Sequence, residues 1–182
     1  MGIGDFYRAA FYAVWLSMIL LYRGQFDKVY HISKELKTSA EDYKNQMLFT
    51  AYYIIIGSFL YAKGDFGQAS KWVQKTIEFV EQTGQQYNRA ILLSFLARSL
   101  LYHGELNKSK QIVEKLNQFP GEEKTIIPYF VAAPVYISII AYYCSLADQE
   151  YNGRLSPKIK RATKVYIKRM LKNSNRYIHY YP

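Results

Sequence analysis

The chain has very little to crosslink with and little to do chemistry with. Cys144 is its single cysteine, so no internal disulfide can form, and a lone thiol accords with a reducing compartment. In the apolar run around it, a buried inert thiol is the expectation. The three histidines, His31, His103 and His179, stand at no metal-ligand spacing to one another or to Cys144, so no metal site and no cofactor site is expected. The carboxylate pairs Glu41-Asp42 and Glu122-Glu123 read as helix-start residues that match the helix dipole, without catalysis. There is no phosphate-binding G-x-x-x-x-G-K-[ST] loop and no evident secretory signal. No catalytic constellation is present, and an enzyme is not expected.

Acidic residues are absent from one end. Nine of the 24 Lys and Arg residues, and none of the 14 Asp and Glu residues, lie from Tyr151 onward. The first 150 residues therefore hold 15 basic against 14 acidic residues, and nearly all of the formal charge of +10 sits in the last 32. A basic end of this kind suits an acidic or polyanionic partner. Charge is also missing from three runs, Ala9 to Tyr22, Met47 to Ala62 and Tyr129 to Ala147. The first two are shorter than the ~20 residues that span a bilayer, and the third is close to that length. All three fall where a repeat places its first helix, so they read as core; a small integral membrane protein is the alternative they raise.

What is present is a period. Gly24, Gly64 and Gly104 are spaced by 40 residues and share their surroundings. Seven residues before each stands a small residue, Ser17, Gly57 or Ala97; four before, Leu20, Leu60 or Leu100. Two after stands Phe26, Phe66 or Leu106, and five after, Val29, Ala69 or Ser109. A fixed step of this size is the mark of a helical-repeat solenoid, in which Gly makes the turn of a helix pair. First helices are expected over about Ile3–Arg23, Ala40–Lys63 and Gln85–His103, and second helices over Gln25–Lys37, Asp65–Thr83 and Glu105–Asn117.

The next step of 40 lands on Cys144, where no Gly stands, so a fourth unit is degenerate. Its apolar segment runs from Glu123 to about Leu146, with Pro128 tolerable in a first turn and Pro134 expected to kink the helix. Ser156-Pro157 reads as an N-cap followed by Pro at the first helical position. The helix it opens runs to Lys172 and carries Arg161, Lys164, Lys168 and Lys172 as one basic stripe. The expected organisation is three helix-hairpin repeats over 1–118, a degenerate fourth repeat with a basic capping helix over 119–172, and a tail over 173–182.

The small residue, the Leu, the turn Gly, the aromatic and the Ala-like position resemble those of the tetratricopeptide repeat (TPR). The resemblance implies an all-α, right-handed superhelix of antiparallel helix pairs, here about eight helices with long 40-residue units. Long units are similar to the TPR-like regions of multidomain signalling ATPases, nucleotide cyclases and sensor kinases, which implies a segment of a larger regulatory protein in the cytoplasm. It also implies a groove for a peptide or helix on the inner face of the first helices. The matching positions are Val14, Trp15 and Met18, then Ile54, Ile55 and Ser58, then Ser94, Phe95 and Arg98. Of these, Val14, Met18, Ile54, Ser58, Ser94 and Arg98 are the candidate groove residues. Only Arg98 resembles the cationic clamp that some TPR proteins place on a C-terminal carboxylate, so an apolar or helical partner is expected.

The expected function is thus a non-enzymatic protein–protein interaction module, its partner a protein, a peptide or another segment of the same parent. Nucleic-acid or anionic-membrane binding through the basic helix is the second reading. An apolar surface over Ile3–Tyr22 is expected to pair with a second copy or with further repeats.

Overall fold

The computed structural model describes residues 3–83, 86–118, 129–151 and 156–178. It is all-α, with eight helices and no strand among the described residues: α1 Ile3–Tyr22, α2 Phe26–Asp42, α3 Gln46–Ala62, α4 Phe66–Thr83, α5 Gln86–Tyr102, α6 Leu106–Gln118, α7 Tyr129–Tyr151 and α8 Pro157–Ile178. The chain forms two compact units, Met1–Gln86 and Tyr87–Pro182.

The three glycines make one kind of turn. Gly24, Gly64 and Gly104 have φ of 68°, 79° and 87°, the left-handed region that costs glycine nothing. In each, the residue after the Gly donates its N–H across the turn to the carbonyl of the Leu four before it: Gln25 to Leu20 at 2.9 Å, Asp65 to Leu60 at 3.0 Å, Glu105 to Leu100 at 2.8 Å. The Gly N–H reaches the following carbonyl, that of Leu21, Tyr61 or Leu101. This pair of bonds is the Schellman closure, which satisfies carbonyls that a helix end leaves open. The Asp65 carboxylate then caps α4 by accepting from Gln68 N–H at 3.2 Å.

A fourth turn of the same design joins α2 to α3, without a glycine. Lys44 has φ of 48°, Asn45 N–H donates to Ala40 O at 3.1 Å and Lys44 N–H to Glu41 O at 3.3 Å. Asn45 Oδ1 accepts from Met47 and Leu48 N–H at 3.0 and 3.2 Å, so Asn45 caps α3. This corrects the expected helix start at Ala40. Ala40 is a fully buried residue of α2, and the turn falls four to five residues later because Asn45 supplies the cap. Glu41 and Asp42 accordingly close α2 instead of opening α3, and Glu41 pairs with Lys37 one turn back, at 3.6 Å. Glu122 and Glu123 lie outside the described residues.

In the first unit α1 packs on α2 and α3, α2 on α3, and α3 on α4. The core joins Ala10 and Leu20 of α1, Val29, Leu36 and Ala40 of α2, and Leu48, Ala51 and Ile55 of α3. The small position seven before the Gly has a visible purpose. A Cβ on Gly57 would meet Val73 Cγ2 of α4 at 3.0 Å, so the two helices of that pair touch through the missing side chain. In the second unit Ala97 plays the same part, and its carbonyl accepts the Ser109 hydroxyl at 2.8 Å.

The third small residue is imperfect. Ser17 is 1% exposed, and its hydroxyl has no hydrogen-bond partner among the described residues. Burying a hydroxyl unpaired costs on the order of 1–3 kcal/mol, and Ala is the better helix former. Ser17→Ala is therefore expected to stabilise the protein by about 1 kcal/mol, raising the thermal midpoint by about 2–4 °C. A lowered midpoint in calorimetry would contradict this account.

In the second unit α7 packs on α6 and α8. The Ser138 hydroxyl of α7 contacts two carbonyls, that of Pro134 in its own helix at 2.7 Å and that of Ser94 in α5 at 2.9 Å. Pro134 lies inside α7, whereas Pro128 is outside the described residues. Ser156 caps α8 as expected, its Oγ accepting from Ile159 N–H at 3.3 Å with Pro157 first in the helix. The helix then continues to Ile178, beyond the expected end at Lys172. Cys144 is a correction: it is exposed. Helix α7 is apolar on all sides, but its buried stripe runs through Ala132, Val135, Tyr136, Ile139 and Tyr142, which turns Cys144 outward.

Candidate interaction surfaces

The groove residues divide between the two units. In the first, Val14 and Met18 of α1 and Ile54 of α3 are half-buried, while Ser58 is 4% exposed. In the second, Ser94 is fully buried and its hydroxyl donates to Ala90 O at 2.8 Å. Arg98 is half-buried, its guanidinium 4.9 Å from the centre of the Phe95 ring, a stacking distance for a cation on an aromatic face. Four of the six thus present some surface, and the two serines present almost none.

Larger apolar surface lies on α1. Tyr7, Phe11, Tyr12, Trp15, Leu16, Ile19 and Tyr22 are 44–90% exposed. At 3.6 residues per turn these seven cover an arc of about 180°, opposite the side that buries Ala10, Ser17 and Leu20. The rings also order one another: Phe11 lies 6.4 Å from Tyr7, 5.9 Å from Tyr12 and 6.0 Å from Trp15, centre to centre. The Ile3–Tyr22 segment was expected to carry such a surface; the signal for its side is Asp5 and Arg8, which fall on the same arc, while Ala9 to Tyr22 has no charge to mark solvent.

The third surface is on α8. Ile159 and Thr163 are buried, and Arg161, Lys164 and Lys168 stand exposed on the other side, joined by Lys160 and Arg169. Lys172 belongs to the same helix, but its side chain is outside the described residues. Val165, Ile167 and Leu171 are exposed among the cations at 42%, 40% and 53%. This mixture was missed in the sequence, where Ile159, Ala162, Tyr166 and Met170 were read as the apolar register and the other side as charge alone; the signal was three branched aliphatic residues off that register. Tyr166 anchors the helix inward. Its hydroxyl donates to Asn117 Oδ1 of α6 at 2.6 Å, and its ring lies 6.1 Å from that of Tyr136 and 6.5 Å from that of Tyr143. Burial, and then the neighbouring Tyr143, push its phenol above the usual range against the opposing pull of Arg169. Beside it a cleft of about 540 Å³ opens between α6, α7 and α8, lined by Lys110, Glu114, Tyr142 and Tyr143 among others.

Among the described residues no cluster of His, Cys, Asp and Glu is arranged to hold a metal ion. His103 is a surface residue of the turn, 4.0 Å from Glu105, and His31 lies 3.4 Å from Glu35. No described helix is long and apolar enough to cross a membrane. Set against known proteins, the chain matches no family model, no curated protein and no solved structure.

Proposed function

We propose that this chain is a non-enzymatic, TPR-like interaction module of a larger cytoplasmic signalling or regulatory protein, and that it holds an acidic amphipathic segment of a protein partner. Within the second unit, the Gly104 turn and the packing of α7 on α6 and α8 support the binding helix. The observation that carries the reading is the outer face of α8, where Arg161, Lys164 and Lys168 are interleaved with exposed Val165, Ile167 and Leu171. A helix bearing Glu and Leu at three- and four-residue spacing uses both elements: its carboxylates meet the cations and its apolar stripe covers the aliphatic side chains. A phosphate backbone would use the cations and leave the aliphatic residues idle, which ranks nucleic acid second.

The test is fluorescence anisotropy with three probes: a labelled 20-residue Glu/Leu amphipathic peptide, a 20-base-pair DNA duplex and phosphatidylserine vesicles. The peptide is expected to bind best and to keep most of its affinity as salt rises from 50 to 200 mM. Lys164→Glu with Lys168→Glu should weaken it by about tenfold or more. Tighter binding of duplex or vesicles, or indifference to the double charge reversal, would overturn the proposal.

A further inference from the structure

The outward face of α1 has an internal counterpart that tells what should cover it. Forty residues on, at the same register in α3, Phe11 is answered by Ala51 and Trp15 by Ile55. Those two are 3% and 0% exposed, whereas Phe11 and Trp15 are 44% and 45% exposed. At these two positions the side is thus covered by packed helices in one repeat and bare in the other, where it carries larger apolar groups; the flanking counterparts Met47, Tyr52, Ile56 and Phe59 are half-buried. A helix face left to water is ordinarily polar. From Ala9 to Tyr22 this one has no charge at all.

We propose that this face pairs with the same face of a second copy of the chain, α1 against α1 in antiparallel sense about a two-fold axis. Three properties select that occupant. The first is area. Seven large side chains of about 150–250 Å² each, roughly half exposed, leave on the order of 800 Å² per copy, the amount that each partner of a standard stable interface buries. The second is charge. Asp5 and Arg23 are exposed at opposite ends of the face, 18 residues apart, which is a whole number of turns and puts them on one flank. A two-fold axis perpendicular to the helices brings like flanks together in reverse order, so each Asp5 meets the Arg23 of the other copy. Parallel pairing would put these flanks on opposite sides of the seam and leave each charge without its opposite. The third is what lies at the axis. The pairing centres near Val14, so the two Trp15 side chains meet in the middle, where dominant contacts of an interface gather. Arg8 stands on the same arc, one turn from Phe11 and Tyr12; in this register the two Arg8 side chains are separated by roughly 18 Å, at 1.5 Å per residue, so they lie at the ends of the seam and do not meet.

Sedimentation equilibrium of the whole chain from 1 to 100 µM tests this. A reversible species of twice 21.3 kDa is expected. Trp15→Glu should raise its dissociation constant at least about thirtyfold with helicity by circular dichroism unchanged. Ile137→Glu, at an exposed aliphatic position of α7, serves as the control and should leave the dimer intact. Asp5→Arg should weaken it, and Asp5→Arg with Arg23→Asp should restore it, which only the antiparallel register predicts. A monomer at 100 µM overturns the proposal and assigns the face to an adjacent repeat or a foreign helix. A dimer indifferent to Trp15→Glu, or one that the charge swap fails to rescue, overturns it equally. The α8 reading is independent: Trp15→Glu should leave binding of the Glu/Leu peptide unchanged, so either proposal can fail alone.

Discussion

Ile55→Ala is expected to cost the first unit about 3–4 kcal/mol, while Ile55→Val costs about 1 kcal/mol. Ile55 is fully buried at the middle of α3, the helix that packs on α1, α2 and α4. It shares its core with Leu20, Val29, Leu36 and Leu48, which approach from all three of the first helices. Removing three carbons there loses their transfer free energy and leaves a cavity, since neighbours fixed on separate helices cannot close in together. Ile56, next in sequence and half-buried, is the comparison: Ile56→Ala should lose clearly less. Urea unfolding gives the totals, and hydrogen exchange locates them, with protection lost over α1–α4. A loss below about 1 kcal/mol for Ile55→Ala would mean that the unit does not close on this residue.

The position of Ile55 illustrates what could be read from the sequence. The 40-residue step gave the helix pairs, and the small residue seven before each Gly gave their closest approach, seen where Gly57 meets Val73. These features are legible because each is a steric requirement that few residue types meet. The direction a helix faces is another matter. Helices α3 and α7 and the Ala9–Tyr22 stretch of α1 are apolar all round, and α5 gathers its apolar residues on no one face, so their pattern does not distinguish the covered side from the bare one. That is why Ser58 and Ser94, placed in the groove by register, are buried, and why Cys144, expected to be buried, is exposed. Helix α8 is amphipathic, and its basic stripe was legible down to Arg161, Lys164 and Lys168. Its exposed aliphatic residues were not, because an apolar side chain in an amphipathic pattern is assigned to the core by default.

The turn between α2 and α3 escaped notice because it breaks the rule that reveals the others, and this gives a prediction of opposite signs. At Gly24 and Gly64 an added Cβ would meet nothing within 4 Å, so substitution there tests backbone conformation alone. A β-branched residue held at positive φ is strained by about 2 kcal/mol. The stiffer unfolded chain offsets about 0.5–1 kcal/mol of that, so Gly24→Val and Gly64→Val should each lower stability by about 1–1.5 kcal/mol. Together they should cost about 2–3 kcal/mol, because the two turns close through separate hydrogen bonds, with coupling only where Lys63 beside one turn lies 5.8 Å from the Phe26 ring beside the other. Lys44 already bears such strain at φ of 48°. Lys44→Gly removes about 1–2 kcal/mol of it and returns about 0.5–1 kcal/mol through the freer unfolded chain, for a net gain of about 0.5–1 kcal/mol. Glycine would thus stabilise the one turn that lacks it, and valine would destabilise the turns that have it. If Lys44→Gly instead destabilises the protein, the Lys44 side chain holds a contact worth more than the strain, and the four turns are not equivalent.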